Sequence, residues 1–390
     1  MSASVARTRR PSAVVLTNRR ARIQSSPFRH LDVLLVASTV AIALLGLLMI
    51  YSASRTRLET AGDDPFTFVK RQAGFVVIGL VAMVAAMAID YRKLREWVLA
   101  SYLGIVVVLA AVLTPLGTNV KGSQARFQFG AFQFQPSEFA KLFLIMTLAA
   151  YCAMHRGDLG FRRVLVALTV VGIPLGLVML QPDLGTALVL GAIALGILAA
   201  AGLATRYIVA LTAIGIVAAL GAVQLGALES YQVDRLTAFV DQSGDGREST
   251  YNLEQSKTAI ANGGLTGKGL FEGTQTHGGF VPEQHTDFIF TVVGEELGFA
   301  GAATLLMLFA IVVWRTWRAA LLSRDFYGTL VCIGVLAMLV IQIFENAGMT
   351  MGIMPITGLP LPLMSYGGSS VIVTFACIGL VANVHMRRFT

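Results

Sequence analysis

Asp287 stands at the edge of an apolar run, in Val281-Pro282-Glu283-Gln284-His285-Thr286-Asp287-Phe288-Ile289-Phe290. A carboxylate where a polar loop enters an apolar helix can serve as a general base, and ionisable groups at membrane depth are costly to keep. Glu138 and Lys141 lie three residues apart in a run opened by Gln135-Pro136-Ser137, so a helix starting at Pro136 puts both on one face. Asp183 sits in a tight turn, Gln181-Pro182-Asp183-Leu184-Gly185, and Arg126 in Arg126-Phe127-Gln128-Phe129-Gly130. Beyond Glu345-Asn346, the stretch from Met354 to Ser370 carries three prolines, several glycines, Ser365 and Ser369. Such irregular backbone is tolerated at membrane depth only where it lines a polar cavity.

Each group also has a plainer reading. Asp287 in a first helical turn gains about 0.3–1 kcal/mol from the macrodipole whatever its function. Glu138 and Lys141 can simply neutralise each other, Asp183 can be a turn residue, and the serines can serve close helix packing. Glu295 and Glu296, about two turns into the same apolar run as Asp287, need a partner or a wet pocket. The argument for chemistry is that all but this Glu pair fall on one side of the membrane once the elements are placed.

Those elements follow from composition. Of 390 residues 55% are hydrophobic and 13% charged, more apolar than a soluble core absorbs. Runs near the roughly 20 residues that cross a bilayer begin around Leu31, Phe68, Trp97, Ser137, Val164, Gly185, Tyr207, Thr286, Phe326 and Ser365. The reading is an all-α polytopic membrane protein with about ten transmembrane helices in a single domain, residues 31–390. Residues 1–30 are Arg-rich without an apolar period and read as a disordered tail. The first run is longer than a signal-peptide core and lacks a cleavage site, so it should stay as an anchor.

If the N-terminus is cytoplasmic, the inner segments hold 19 of the 30 Lys and Arg and the outer ones 10, with Lys141 inside a helix. Basic residues favour the inner side, so both termini are placed in the cytoplasm and a long loop, about 229–285, outside. The net charge of +8 then anchors the chain to the inner leaflet. No soluble basic face exists for nucleic acid. Cys152, Cys332 and Cys377 lie far apart within apolar runs, without C-x-x-C spacing, which suggests neither disulfides nor a thiolate metal site. Gly263 to Gly269 is no phosphate loop, because Lys268 is followed by Gly269 and no strand precedes it. It reads as a flexible hinge after a short interfacial helix around Tyr251 to Ala261, with Gly263 and Gly264 as the helix stop.

Taken together, the segments Arg126 to Lys141, Gln181 to Thr186, Gly263 to Phe290 and Pro355 to Ser370 resemble the signature of the SEDS family of bacterial peptidoglycan glycosyltransferases. The likeness runs from Leu31 onward. Gly267-Lys268-Gly269-Leu270-Phe271 with Phe280-Val281-Pro282-Glu283 makes it more similar to the RodA branch, which serves elongation, than to the FtsW branch, which serves division.

The resemblance implies polymerisation of lipid II on the outer face of the cytoplasmic membrane. A sugar hydroxyl attacks the anomeric carbon of a second lipid-linked sugar and displaces polyprenyl pyrophosphate with inversion. By family analogy Asp287 takes the hydroxyl proton; an aspartate is a weak base in water, and partial burial would strengthen it. Arg126 and Lys141 are the cations set against the departing pyrophosphate. Glu138 holds Lys141, Asp183 lines the substrate cavity, His285 orients Asp287, and Ser365 and Ser369 join the substrate-binding candidates. A divalent cation, Mg²⁺ or Mn²⁺, is expected without an identified site, and no nucleotide, haem or organic cofactor. The implied partner is a class B penicillin-binding protein, since no outer loop here could form a transpeptidase domain.

A different class of reading is a lipid II flippase, which requires working charges along the whole membrane depth. The inner-side carboxylates Asp32, Asp90, Glu96, Asp158 and Asp325 all lie within three residues of an Arg, where ordinary ion pairs would account for them. A third is a scaffold that activates a partner synthase.

Overall fold

The computed structural model describes residues 27–120, 123–130, 132–224, 230–240, 248–281 and 283–389. The basic tail read as disordered lies outside these residues except for a short 3-10 turn, Pro27–His30. Helices dominate, and several begin where the sequence supplies a cap. Asp32 accepts from the Leu35 amide (3.1 Å) to start α1, Val33–Ala61, which stops at Gly62 with a left-handed φ of 78°. α2 spans Thr67–Ala88, and α3, Tyr91–Val112, is capped by Asp90. Pro136 opens α4, Pro136–Met154; α5 covers Phe161–Met179. Asp183 caps α6, Leu184–Ala200, and α7 runs Thr205–Gln224.

Three helices lie in the long loop: α8 (Ser230–Val240), α9 (Glu248–Gly263) and α10 (Thr274–Gly278). The chain then forms α11 (Ile289–Glu296), α12 (Gly298–Leu321), α13 (Phe326–Thr350) and α14 (Gly368–Met386). Among the described residues eight helices are long and apolar enough to cross a membrane, and α6 and α7 are shorter apolar helices at the positions of the other two expected spans. The exception to all-α is a small antiparallel set, β1 (Thr118–Val120), β2 (Ser123–Phe129) and β3 (Phe132–Phe134). Phe127 there pairs with Phe134 and Gln128 with Gln133, an alternation the sequence reading took for loop.

α14 is buried along its whole length and forms the centre of the bundle. Glycines permit the closest approaches: a β-carbon at Gly379 would lie 2.6 Å from the Met83 carbonyl of α2. The described ends of the chain meet, with the His30 and Phe389 rings 5.1 Å apart. We call this end the terminal face, and the opposite end, which carries residues 230–288, the loop face.

The eighth span departs from expectation. A continuous helix from Thr286 was expected, but the chain breaks at Leu297, and Gly298 adopts a left-handed φ of 64°. The break frees carbonyls at the end of α11 and amides at the start of α12. Residues 264–269 satisfy both sets. Lys268 and Gly269 amides donate to the Glu295 and Glu296 carbonyls (3.0 and 3.1 Å), and Phe299 and Ala300 amides donate to the Gly264 and Leu265 carbonyls (2.9 and 3.0 Å). The glycine-rich stretch is thus a docked splice, not the flexible hinge expected of it. The Glu pair also finds its partners: Glu295 accepts from the Gln275 and Thr276 amides (2.7 and 2.9 Å), and Glu296 from the Ser52 hydroxyl.

A β-carbon at Gly298 would lie 2.2 Å from the Gly267 amide nitrogen, in a conformation that L residues avoid. Gly298→Ala is therefore expected to cost roughly 2 kcal/mol or more, read as a lowered Tm of the detergent-purified protein. An unchanged Tm would mean the splice is not tight.

Candidate active site

Between α13 and α14, residues 351–367 run without regular structure, and their backbone groups must be satisfied internally. The Ser365 hydroxyl accepts from the Leu361 amide (2.8 Å), and the Ser365 amide donates back to the Leu361 carbonyl (3.0 Å). Gln72, 1% exposed on α2, brackets the end of the segment: its side-chain amide donates to the Ser365 carbonyl (3.0 Å) and its oxygen accepts from the Gly367 amide (3.2 Å). Asn346, fully buried on α13, donates to the Leu359 carbonyl and to the Asp287 carbonyl, both at 2.8 Å.

That second bond joins the segment to the loop carrying Asp287. Residues 283–288 turn tightly, with the Thr286 and Asp287 amides directed at the Glu283 carbonyl (3.1 and 3.2 Å). The half-buried Asp287 carboxylate converges on Gly358. A β-carbon there would lie 3.3 Å from Asp287 Oδ2 and 3.0 Å from Arg235 Nη1. Arg235, on α8, also donates to the Thr357 carbonyl (3.3 Å), so an acid and a guanidinium meet over a backbone that has no side chain at that point.

The other expected residues gather around this centre. Asp183 caps α6 through the Thr186 amide and hydroxyl (2.9 and 2.8 Å) and accepts a long bond from the Gln135 side chain (3.5 Å). The Gln135 amide donates to the Ser369 hydroxyl (3.0 Å), which itself points to the Gln133 carbonyl (3.4 Å). Beside Asp183, Gly185 packs against Thr357 and Leu359, and Gln232 of α8 donates to the Pro182 carbonyl (3.1 Å). The four segments singled out in the sequence thus form one contiguous structure.

Two residues serve differently from expectation. Lys141, set against a leaving group in the sequence reading, is wholly buried and donates to Glu138 at 2.7 Å, so its charge is matched inside the bundle. Glu138 does hold it. His285, expected to orient Asp287, packs its ring with those of Phe68 (4.8 Å) and Tyr366 (5.7 Å), and its carbonyl accepts from the Tyr366 amide (2.9 Å). Ser365 braces the backbone of its own segment. Arg126 stays on β2, where it donates to Gln133 across the hairpin (3.2 Å).

Sequence reasoning missed Arg235, which reaches the centre from a helix more than 50 residues away from Asp287 in the chain. It also missed the clamping roles of Asn346, Gln72 and Gln135, because a polar residue near a helix end has no local sign of what it will bind. Glu345, fully buried beside Asn346, has the Thr357 side chain next to its carboxylate.

Among the described residues no three His, Cys, Asp or Glu side chains converge as a metal cage. Cys152, Cys332 and Cys377 are buried and unpaired thiols.

A ten-span bundle whose loop face holds an aspartate beside an arginine, over a braced irregular segment, defines a polytopic membrane protein with an acid-centred site at one end. Residues 32–389 match the family described as cell cycle protein, FtsW/RodA/SpoVE. The chain belongs to this family. It is 37% identical over 362 residues to the probable peptidoglycan glycosyltransferase FtsW of Geobacter metallireducens, covering 91% of this chain and 95% of that one. It is similar to a chain in a structure described as the coordination of polymerization and crosslinking by a peptidoglycan synthase complex, with a TM-score of 0.78, 31% identity and coverage of 92% and 99%. It also resembles the crystal structure of the rod shape determining protein RodA of Thermus thermophilus, with a TM-score of 0.68, 31% identity and coverage of 92% and 98%. Relatives from both branches appear, so the lean toward the elongation branch gains no weight from them.

Because Asn346 donates to both the Asp287 and Leu359 carbonyls, Asn346→Ala removes two hydrogen bonds, the one to Leu359 fully buried, a cost of roughly 2–4 kcal/mol. Asn346→Asp, which cannot donate when ionised, is expected to lower Tm at least as much. Wild-type stability in both variants would remove the clamp from the account.

Proposed function

We propose that this protein is a peptidoglycan glycosyltransferase that joins lipid-linked disaccharide units, lipid II, on the outer face of the membrane. The observation that carries the reading is the meeting of Asp287 and Arg235 over Gly358, within a family whose named relatives include peptidoglycan glycosyltransferases.

In this reading Asp287 removes the proton from the acceptor sugar hydroxyl as its oxygen attacks the anomeric carbon of the donor. The bond to polyprenyl pyrophosphate breaks on the opposite side, which inverts the linkage. Arg235 positions the carboxylate and, with Arg126 on the hairpin, places positive charge where the pyrophosphate departs. Gly358 lets acid and guanidinium both close on the backbone, where any side chain would press on the pair. The Glu138–Lys141 pair and the Asp183–Gln135–Ser369 network act as the frame of the cavity. A divalent cation, Mg²⁺ or Mn²⁺, would add positive charge against the departing pyrophosphate. The cross-linking partner proposed for this chain is a class B penicillin-binding protein.

Polymerisation is favoured over flipping by how the charges at the terminal face are arranged. Asp32 is held by Arg315 (2.6 Å), Asp90 by Arg387 (3.7 Å), Asp325 by Arg92 (3.3 Å) and Asp158 by Arg163. Charges matched in this way offer no row of stations for a headgroup crossing the bilayer.

The test is to supply lipid II and Mg²⁺ or Mn²⁺ to the purified protein and resolve glycan chains on a gel. Asp287→Asn and Asp287→Ala are expected to lose about 10²–10⁴-fold in rate, the range of a general base. Polymer from Asp287→Ala at the wild-type rate would overturn the assignment, and lipid translocation without polymer would favour the flippase. Gly358→Ala, which forces a methyl between Arg235 and Asp287 at a φ of 74°, is expected to abolish product. Gly185→Ala, which meets only Leu359 and Thr357, should lose less.

A further inference from the structure

Glu345 and Asn346 are neighbours near the loop-face end of α13, and both are fully buried. Asn346 donates to the Leu359 carbonyl (2.8 Å). The Glu345 carboxylate lies against the side chain of Thr357, two residues earlier in the same irregular segment. Adjacent side chains of one helix therefore grip the two residues that flank Gly358. That glycine has a φ of 74° and no side chain to favour one conformation, so its place depends on what fixes its neighbours. It is also the point on which Asp287 and Arg235 converge.

As a stabilising group Glu345 is a poor choice. Among the described residues no Lys, Arg or His pairs with it. Burying a carboxyl against a single hydroxyl costs more in lost hydration than one hydrogen bond returns, and a leucine would fill a similar volume. An ionisable group kept in a membrane-spanning helix on those terms points to function. What it can do is read from Thr357. A threonine side chain is stiff at χ1, so a hydroxyl held by Glu345 also fixes the orientation of its own backbone. The Thr357 carbonyl accepts from Arg235 Nη1 (3.3 Å). The same carbonyl is closely approached by Gly185 at the start of α6, where a β-carbon would lie 3.1 Å away.

We propose that Glu345 is a positioning residue for the reaction: it holds the Thr357 hydroxyl and, through the Thr357 carbonyl, sets where Arg235 meets Asp287. The inference rests on the polymerase reading above. Asn346 then references the acid, through the Asp287 carbonyl, and Glu345 the guanidinium, from consecutive positions on one helix.

The experiment measures glycan polymerisation over a range of lipid II concentrations, together with Tm, for the full chain carrying Glu345→Leu, Glu345→Gln, Thr357→Val or the Glu345→Leu/Thr357→Val pair. Glu345→Leu is expected to lower kcat about tenfold or more with KM within about twofold, and to leave Tm unchanged or raised. Glu345→Gln, which keeps an oxygen to accept from the Thr357 hydroxyl, should stay within about threefold of wild type. Thr357→Val should lower kcat as Glu345→Leu does, and the pair should be no slower than either, the mark of two groups acting as one. Thr357→Val should also lower Tm when Glu345 is present, since it strands the carboxyl, but not in the Glu345→Leu background. Wild-type kcat in Glu345→Leu, a kcat that falls only in step with Tm, or multiplied losses in the pair would each overturn the proposal. Wild-type protein that makes no polymer would overturn the polymerase reading instead. The Tm comparison then still decides whether Glu345 acts through Thr357, with additive shifts counting against it.

Discussion

One side-chain amide, that of Asn346, holds the candidate site in register. It supplies both of its hydrogens to carbonyls of two different segments, Asp287 and Leu359, at a depth where no bulk water can replace them. The two irregular stretches are thereby fixed to one helix and to each other. Gln72 does the same at the far end of the 351–367 segment, through Ser365 and Gly367. The position of the Asp287 carboxylate relative to Arg235 is a consequence of these amide clamps, since both charged groups converge on Gly358, one residue from Leu359.

The two ends of the bundle treat charge differently. At the terminal face carboxylates cap helices and pair with arginines from other helices, which fastens the ends of α1, α3 and α13. At the loop face the charged groups sit beside glycine, proline and open backbone. A buried Lys141–Glu138 pair lies between these regimes, with both side chains almost fully out of solvent. Such a pair contributes little net stability but fixes a geometry, because removing either member strands the other charge.

Much of this was legible in the sequence because apolar runs and their caps are local signals. Asp32, Asp90, Asp183 and Asp325 start helices as their positions suggest, and Glu138 and Lys141 meet because their spacing leaves them no other face. The break at Leu297 was missed although Glu295, Glu296 and Gly298 flank it, since glycine is common within membrane helices and does not by itself mark a break. The partner that makes it possible, residues 264–269, acts through backbone groups alone. Arg235 escaped notice for a similar reason: its place is set by the packing of α8 on the Pro182 turn and the Thr357 carbonyl. The small antiparallel set was taken for loop because β1 and β3, the partners of β2, are only three residues long. The ring contacts of His285 with Phe68 and Tyr366 were equally hidden, as nothing in its own segment announces either.

The discontinuity at Gly298 separates two mechanical bodies. Bilayers of different thickness impose tilt on a long apolar helix such as the 24-residue α12. An unbroken ladder of hydrogen bonds would carry that tilt straight into the turn holding Asp287. Here the ladder ends, and α11 is tethered sideways to α9 and to Ser52 of α1, so the acid is referenced to the protein interior and insulated from the thickness of the lipid around it.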